Sequence, residues 1–339
     1  MSEVVYLIGA GASYGQRGKG QYSGEFMPGY IERGLPIVNQ LEPALAWYCR
    51  SIQKTGSYGD LVDDSEYPNL YKELKWLKEK CKTYPTIDTY AKKLTVTGES
   101  QELNRLKNAL ASFFTLIQSH DKRDLRYDGF VASVIQNDGQ LPNNISILSW
   151  NYDYQLEFVL QDFYRGKIDI LHIWQNLGIT CKGVTSFIDN SRFNFVKLNG
   201  TAMFSILRTN ELIDPDDCDI NHIERWYSEH FLAWKSNISF AWEKDDLFID
   251  SVLPLVKDAK ALVVIGYSFP YVNRAVDRKL IQNMEALRNV YIQDLAASDV
   301  KQSFETLLSD EQQKKVLSHT INILPKDSVA QFIIPTELA

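Results

Sequence analysis

The apolar run Glu3–Ile8 stops at Gly9-Ala10-Gly11-Ala12-Ser13, and this junction constrains the fold more than any other stretch of the chain. A short apolar run with β-branched residues that ends at glycine reads as a buried strand. Small residues directly after a strand let backbone amides approach a phosphate closely. The spacing departs from G-x-G-x-x-G, because Tyr14 stands where the third glycine would and Gly15 follows it. A plain strand-ending turn is the alternative. Glycine is concentrated here: of 18 in the chain, eight fall at Gly9, Gly11, Gly15, Gly18, Gly20, Gly24, Gly29 and Gly34. Glycine is placed where the chain needs unusual dihedrals or a close approach, so the segment has the character of a site.

Beyond it the apolar period changes to that of helices. Ile37, Leu41, Leu45 and Tyr48 share a face, as do Leu70, Leu74, Leu77 and Cys81. Leu103, Leu106, Leu110, Phe113 and Ile117 form a third such face, and Tyr127, Phe130, Val134 and Ile135 a fourth. Residues 37–138 therefore read as mostly helical, broken by a polar loop at Thr55–Pro68 and a turn at Tyr84–Pro85. Strand-like runs return at Ile145–Trp150, Lys167–Trp174, Phe193–Leu198, Ala261–Ile265, Val290–Gln293, Ile321–Leu324 and Gln331–Ile334, with helical spacing between several of them. Strands alternating with helices predict an α/β fold: a parallel sheet with helices on both faces. Ligands of such sheets bind beyond the carboxyl ends of the strands. Strand patterns at both ends of the chain favour one domain over residues 1–339, with a large helical insertion at about 37–138 and a smaller polar one at about 205–250.

Four further junctions join an apolar run to polar residues. They are Ser149-Trp150-Asn151-Tyr152-Asp153, Phe195-Val196-Lys197-Leu198-Asn199-Gly200-Thr201, Val263-Val264-Ile265-Gly266-Tyr267-Ser268-Phe269 and Val290-Tyr291-Ile292-Gln293-Asp294. Asn offers a donor and an acceptor and ionised Asp only acceptors, so Asn151 and Asp153 suit a carboxamide and a water. Either could instead be an ordinary helix N-cap. Asp294 suits a ribose hydroxyl or a solvated turn.

In this order the motifs resemble the sirtuin-like superfamily, in particular its bacterial NAD-consuming, defence-associated branch. The matching segments are GAGAS at Gly9–Ser13, SWNYD at Ser149–Asp153, KLNGT at Lys197–Thr201 and IGYSF at Ile265–Phe269, with Thr86-Ile87-Asp88-Thr89-Tyr90 between the first two. The resemblance implies a Rossmann-like domain with NAD as substrate or ligand. It places Gly9, Ala10, Gly11, Ala12 and Ser13 on the pyrophosphate, Asn151 near the scissile bond and Asp153 near the nicotinamide carboxamide. It places Gly266 and Ser268 on the adenosine half, and Gly15 to Gly34 as a flap over the nicotinamide end. The activity implied is NAD hydrolysis to nicotinamide and ADP-ribose, as an antiphage effector answering a trigger or partner protein, and homo-oligomers are common in this class.

Two departures matter. None of Cys49, Cys81, Cys181 and Cys218 belongs to a CxxC pair, which excludes the paired-cysteine zinc module of the protein deacylases, and no metal is expected. Asn199 stands where the family has its catalytic histidine. An amide cannot titrate near neutral pH and cannot act as a general base. Three consequences are open: NAD is bound without turnover, with the chain a sensor of NAD or ADP-ribose; another group supplies the base, His172 on the preceding predicted strand being nearest in sequence; or the residue is an inactivating replacement. His172 between Leu171 and Ile173 also fits a packed strand position.

Composition sets outer limits. The formal net charge of −7 speaks against a broad nucleic-acid surface. Apolar stretches are far shorter than the roughly 20 residues that cross a bilayer. The start of the chain has no basic region before its apolar run, so a cytoplasmic location is expected. His222 and His230 show no third ligand for a metal, and the Trp226–Trp242 stretch is either a partner surface or core.

Overall fold

The computed structural model describes residues 2–14, 35–56, 60–120, 124–137, 139–164, 169–184, 188–189, 191–209, 211–229, 234–243 and 246–338. The flap expected at Gly15 to Gly34 and the residue His230 lie outside them. The chain divides into two compact units, one of Met1–Lys19, Arg123–Gly200 and Ser239–Ala339, the other of Gly20–Lys122 and Thr201–Ile238.

The first unit is built on a seven-stranded sheet. Its strands are β1 (Val4–Ile8), β2 (Ile145–Ser149), β3 (Thr180–Cys181), β4 (Asn194–Lys197), β5 (Ala261–Ile265), β6 (Asn289–Gln293) and β7 (Asn322–Lys326). They lie in the order β7-β6-β5-β1-β2-β4-β3, and every pairing is parallel. This is the α/β, Rossmann-like arrangement expected. Strand residues point alternately to the two faces. Val5, Leu7, Leu148, Val264 and Ile292 join Phe248, Val252, Leu280 and Phe304, from helices Asp246–Lys257, Arg274–Gln282 and Ala297–Glu305, in one core. Tyr6 turns the other way, edge-on to Phe130 of helix Leu125–Val134 with ring centroids 4.9 Å apart.

Register aligns the motifs. Ile8 pairs with both Ser149 and Ile265, and Ser149 pairs with Lys197, so four of the motif junctions leave the sheet side by side. The chain winds from β1 outward through β2, then returns to lay β5 on the other side of β1. The gap between β1 and β5 is thus the topological switch point, where such sheets open a crevice for ligands.

The second unit contains helices Leu41–Ser51, Pro68–Thr83, Ile87–Thr97, Ser100–His120 and Ile220–Glu229. The helical periodicity of residues 37–117 is realised here. Glu224 accepts hydrogen bonds from the Asn69 amide nitrogen, Leu70 N and Asn69 N, and so caps the first turn of Pro68–Thr83 from another helix. Trp226 is in the core, its ring 5.0 Å from that of Phe204.

Several expectations are corrected. Helix Leu125–Val134, read as part of the insertion at 37–138, belongs to the first unit. The loop at Thr55–Pro68 contains a hairpin strand, Leu61–Ser65, paired antiparallel with Gln53–Thr55. The strand expected at Lys167–Trp174 is a helix, Ile170–Leu177, over its described part. Asp169 caps it by accepting from His172 N, Ile170, Ile173 and Trp174 recur at helical spacing inside, and Gly178 ends it with a φ of 61°. Gln331–Ile334 is not a strand; Phe332 there packs edge-on against Tyr127 at 4.9 Å.

Candidate functional site

The glycines of the first junction serve the switch point by letting two loops touch. Gly9 N donates to the Ile265 carbonyl at 3.0 Å and Gly11 N to the Gly266 carbonyl at 2.9 Å. A Cβ on Gly9 would stand 2.6 Å from the Gly266 oxygen, and one on Gly11 would stand 2.7 Å from Gly266 Cα. Gly266 itself has a φ of 58°, and a Cβ there would meet Ala12 N at 2.3 Å. With Ala12 N donating to the Gly9 carbonyl, three of the loop's amides already have protein partners. Close packing of β1 against β5 is therefore the role these glycines visibly perform.

Asn151 ties the second junction to the first. Its side-chain nitrogen donates to the Gly9 carbonyl at 3.0 Å and to Ser13 Oγ at 3.3 Å. Ser13 in turn hydrogen-bonds the Asp153 carboxyl and, at 3.0 Å, the Tyr127 hydroxyl. Asn151 and Asp153 are both buried. Burial pushes the Asp153 carboxyl above the usual range, against the pull of the Lys197 ammonium. Neither residue is only a cap, although Asp153 Oδ1 does accept from Gln155 N at 3.2 Å.

Lys197 is fully buried beneath this loop. Its ammonium donates to the Asp153 carbonyl and, at 2.8 Å, to Glu157 Oε1. Arg126 is likewise turned inward, onto the Asp124 carboxylate at 2.5 Å and the Ala12 carbonyl at 2.8 Å. Both cations are thus held by protein acceptors.

Asn199 completes the group. Its side-chain nitrogen donates to the Trp150 carbonyl at 3.2 Å. A carbonyl oxygen only accepts, so the amide orientation is fixed, and Oδ1 is left buried without a partner among the described residues. A buried polar atom without a hydrogen bond is costly and calls for an explanation such as a ligand.

The structure therefore brings together Gly9, Gly11, Ser13, Asn151, Asp153 and Gly266, with Asn199 joined through Trp150. Ala10 and Ala12 belong to the same turn, Ala10–Ser13. Ser268 is exposed and carries no side-chain hydrogen bond among the described residues. Asp294 accepts from Ala296 N at 2.8 Å, a local turn. His172 is not on a strand: it is exposed at the start of a helix, its ring 2.7 Å from the Asp169 carboxylate. Among the described residues, no group of three or more His, Cys, Asp or Glu could hold a metal ion. A cavity of about 590 Å³ lies elsewhere, lined by Gln293, Lys326, Ser328 and residues 330–334.

Sequence reasoning missed Arg126, Tyr127 and Glu157, because each sits on an amphipathic helix that reads as scaffold. The one available signal was Asp124, an N-cap residue beside an arginine. All four cysteines are free thiols, and burial pushes Cys181 up to about 12, the opposite of an activated nucleophile.

No family model and no curated protein matches the chain. No helix among the described residues is long and apolar enough to cross a membrane.

Proposed function

We propose that the crevice beyond β1, β2, β4 and β5 binds NAD and that the chain hydrolyses it slowly to nicotinamide and ADP-ribose. The observation that carries this reading is the buried Asn199 Oδ1, without a partner among the described residues, on a side chain bonded to Trp150, the neighbour in sequence of the linked Asn151–Ser13–Asp153 group. Asn199 Oδ1 and the Asp153 carboxyl are acceptors, which suits a sugar's hydroxyls and a positively charged nicotinamide. Nicotinamide leaves as a neutral base from an oxocarbenium-like state. A buried carboxylate such as Asp153 stabilises that cation electrostatically, and water then captures it. The motif resemblance supports a role as a cytoplasmic antiphage effector under a trigger or partner.

A second reading has its own observation. Asn199 offers an amide where hydrolysis would use a base, which favours a module that holds NAD or ADP-ribose and signals without turnover. Nicotinamide release by the purified chain separates the two. Release that Asn151→Ala removes supports the hydrolase. Tight binding of NAD with no release supports the sensor. Absence of binding to both NAD and ADP-ribose refutes the nucleotide site.

A further inference from the structure

We infer that Asp277 is a positioning residue that holds the Ser149–Asp153 and Gly266–Phe269 loops together through Trp150 and Tyr267. The inference rests on the reading of the switch-point crevice as the nucleotide site.

Asp277 lies in the first turn of helix Arg274–Gln282 and is fully buried. Trp150 Nε1 donates to its Oδ1 at 3.2 Å, and the Tyr267 hydroxyl donates to its Oδ2 at 2.7 Å. Asn273 supports the second bond by donating from its side-chain nitrogen to the Tyr267 hydroxyl at 3.0 Å. The two rings lie 6.0 Å apart and nearly parallel, at 17°. One carboxyl therefore receives one donor from each lip of the crevice.

Both donors belong to residues that shape the site. Trp150 N donates to the Ile8 carbonyl, the Trp150 carbonyl accepts from Asn199, and Asn151 follows it in the chain. Tyr267 follows Gly266, and its Cα would lie 2.7 Å from a Cβ on Gly9. Moving either ring moves the backbone that carries Asn151 or Gly266, and with Trp150 the carbonyl to which Asn199 is bonded.

A packing role alone would not select aspartate here. An uncompensated buried carboxylate is costly, and an apolar residue of similar size would be cheaper. Among the described residues its side-chain hydrogen-bond partners are neutral, Trp150 and the hydroxyl of Tyr267, with Asn273 behind the latter. The nearby charges are directed elsewhere. Lys279 pairs with Asp250 at the surface, and Arg274 donates to the Thr306 carbonyl. Burial accordingly pushes the Asp277 carboxyl up to about 8. The ionised form takes both donors. Protonation makes one of the two oxygens a donor, so one of the two bonds is weakened or reversed.

The test follows the Trp150 indole N–H by ¹⁵N NMR of the full chain, assigned with Trp150→Phe, between about pH 5 and pH 10. The expected result is a titrating resonance with a midpoint far above the ordinary carboxyl range, lost in Asp277→Asn and moved upward in Tyr267→Phe. Calorimetry on the same folded variants at a pH above that midpoint, where the carboxyl is ionised, is expected to show NAD binding weakened about tenfold in Asp277→Asn, the effect of roughly one lost hydrogen bond to a charged group. A flat Trp150 resonance, or one that titrates unchanged in Asp277→Asn, overturns the inference. So does a normal titration with wild-type NAD affinity in the variant, a result that leaves the NAD site standing. Failure of the unaltered chain to bind NAD overturns the nucleotide reading and the positioning role together.

Discussion

Asn199 donates its side-chain N–H to the carbonyl oxygen of Trp150 at 3.2 Å, and the other end of the same amide is buried with no partner among the described residues. The residue is thereby oriented by the neighbouring strand and left with one acceptor to offer. If a missing base is the site's one defect, Asn199→His supplies it. Nicotinamide release is then expected to rise by about a hundredfold or more, the usual scale of a general base. Unchanged release from a folded Asn199→His chain, measured by chromatography, counts against an otherwise intact hydrolytic site.

Gly266→Ala is expected to separate β1 from β5. The new methyl would meet backbone atoms at 2.3 Å, at a φ of 58°. Backbone cannot yield as a side-chain tip can, so the loops must part. NAD affinity is expected to fall at least tenfold, with a thermal midpoint several degrees lower. A variant with both unchanged would show that close packing at the switch point is dispensable.

Lys197 and Glu157 form an ion pair with both side chains buried, and Glu157 Oε2 has no partner among the described residues. Lys197→Met leaves an unpaired buried carboxyl and is expected to cost about 3–5 kcal/mol in denaturant unfolding. The double variant Lys197→Met, Glu157→Leu is expected to recover much of that loss. Its stability falling below that of the single variant would show that the pair itself stabilises the unit.

In the second unit, Glu224→Ala removes the carboxylate that accepts from Asn69 N and Leu70 N. The loss is expected to be about 1–2 kcal/mol, as for other N-cap removals. Amide exchange across Pro68–Thr83 is expected to accelerate from its first turn. Uniform protection there would contradict the capping role.

Stability should also depend on pH through Asp277. Its carboxyl titrates near 3.8 when unfolded and is pushed up to about 8 in the fold. The folded chain therefore binds more protons between these values, so this contribution is complete at low pH and is lost as pH rises toward about 8. Asp277→Asn is expected to flatten that slope in thermal melts. An identical slope in the variant would assign it to other groups.

How much of this was legible in the sequence depended on locality. The strands Val4–Ile8, Ile145–Ser149 and Ala261–Ile265 announce themselves as apolar runs ended by small or polar residues, and their junctions form the candidate site. Ile170–Leu177 was misread because its apolar pairs look alike at strand and helix periods, and Asp169 decides the matter only if recognised as a cap. The roles of Arg126 and Asp277 depend on partners more than a hundred residues away in the chain. No local pattern encodes that a conventional helix residue will face a loop from another strand. The orphaned oxygen of Asn199 was equally invisible, since it follows from where the Trp150 carbonyl points.

The most direct test of the nucleotide site is calorimetric titration of the purified chain with NAD, beside the same titration of Asn151→Ala. Saturable binding to the unaltered chain is expected, with binding at least tenfold weaker in the variant, which loses its links to Gly9 and Ser13. Equal affinity in the two chains, or no binding of NAD to the unaltered chain, would contradict it.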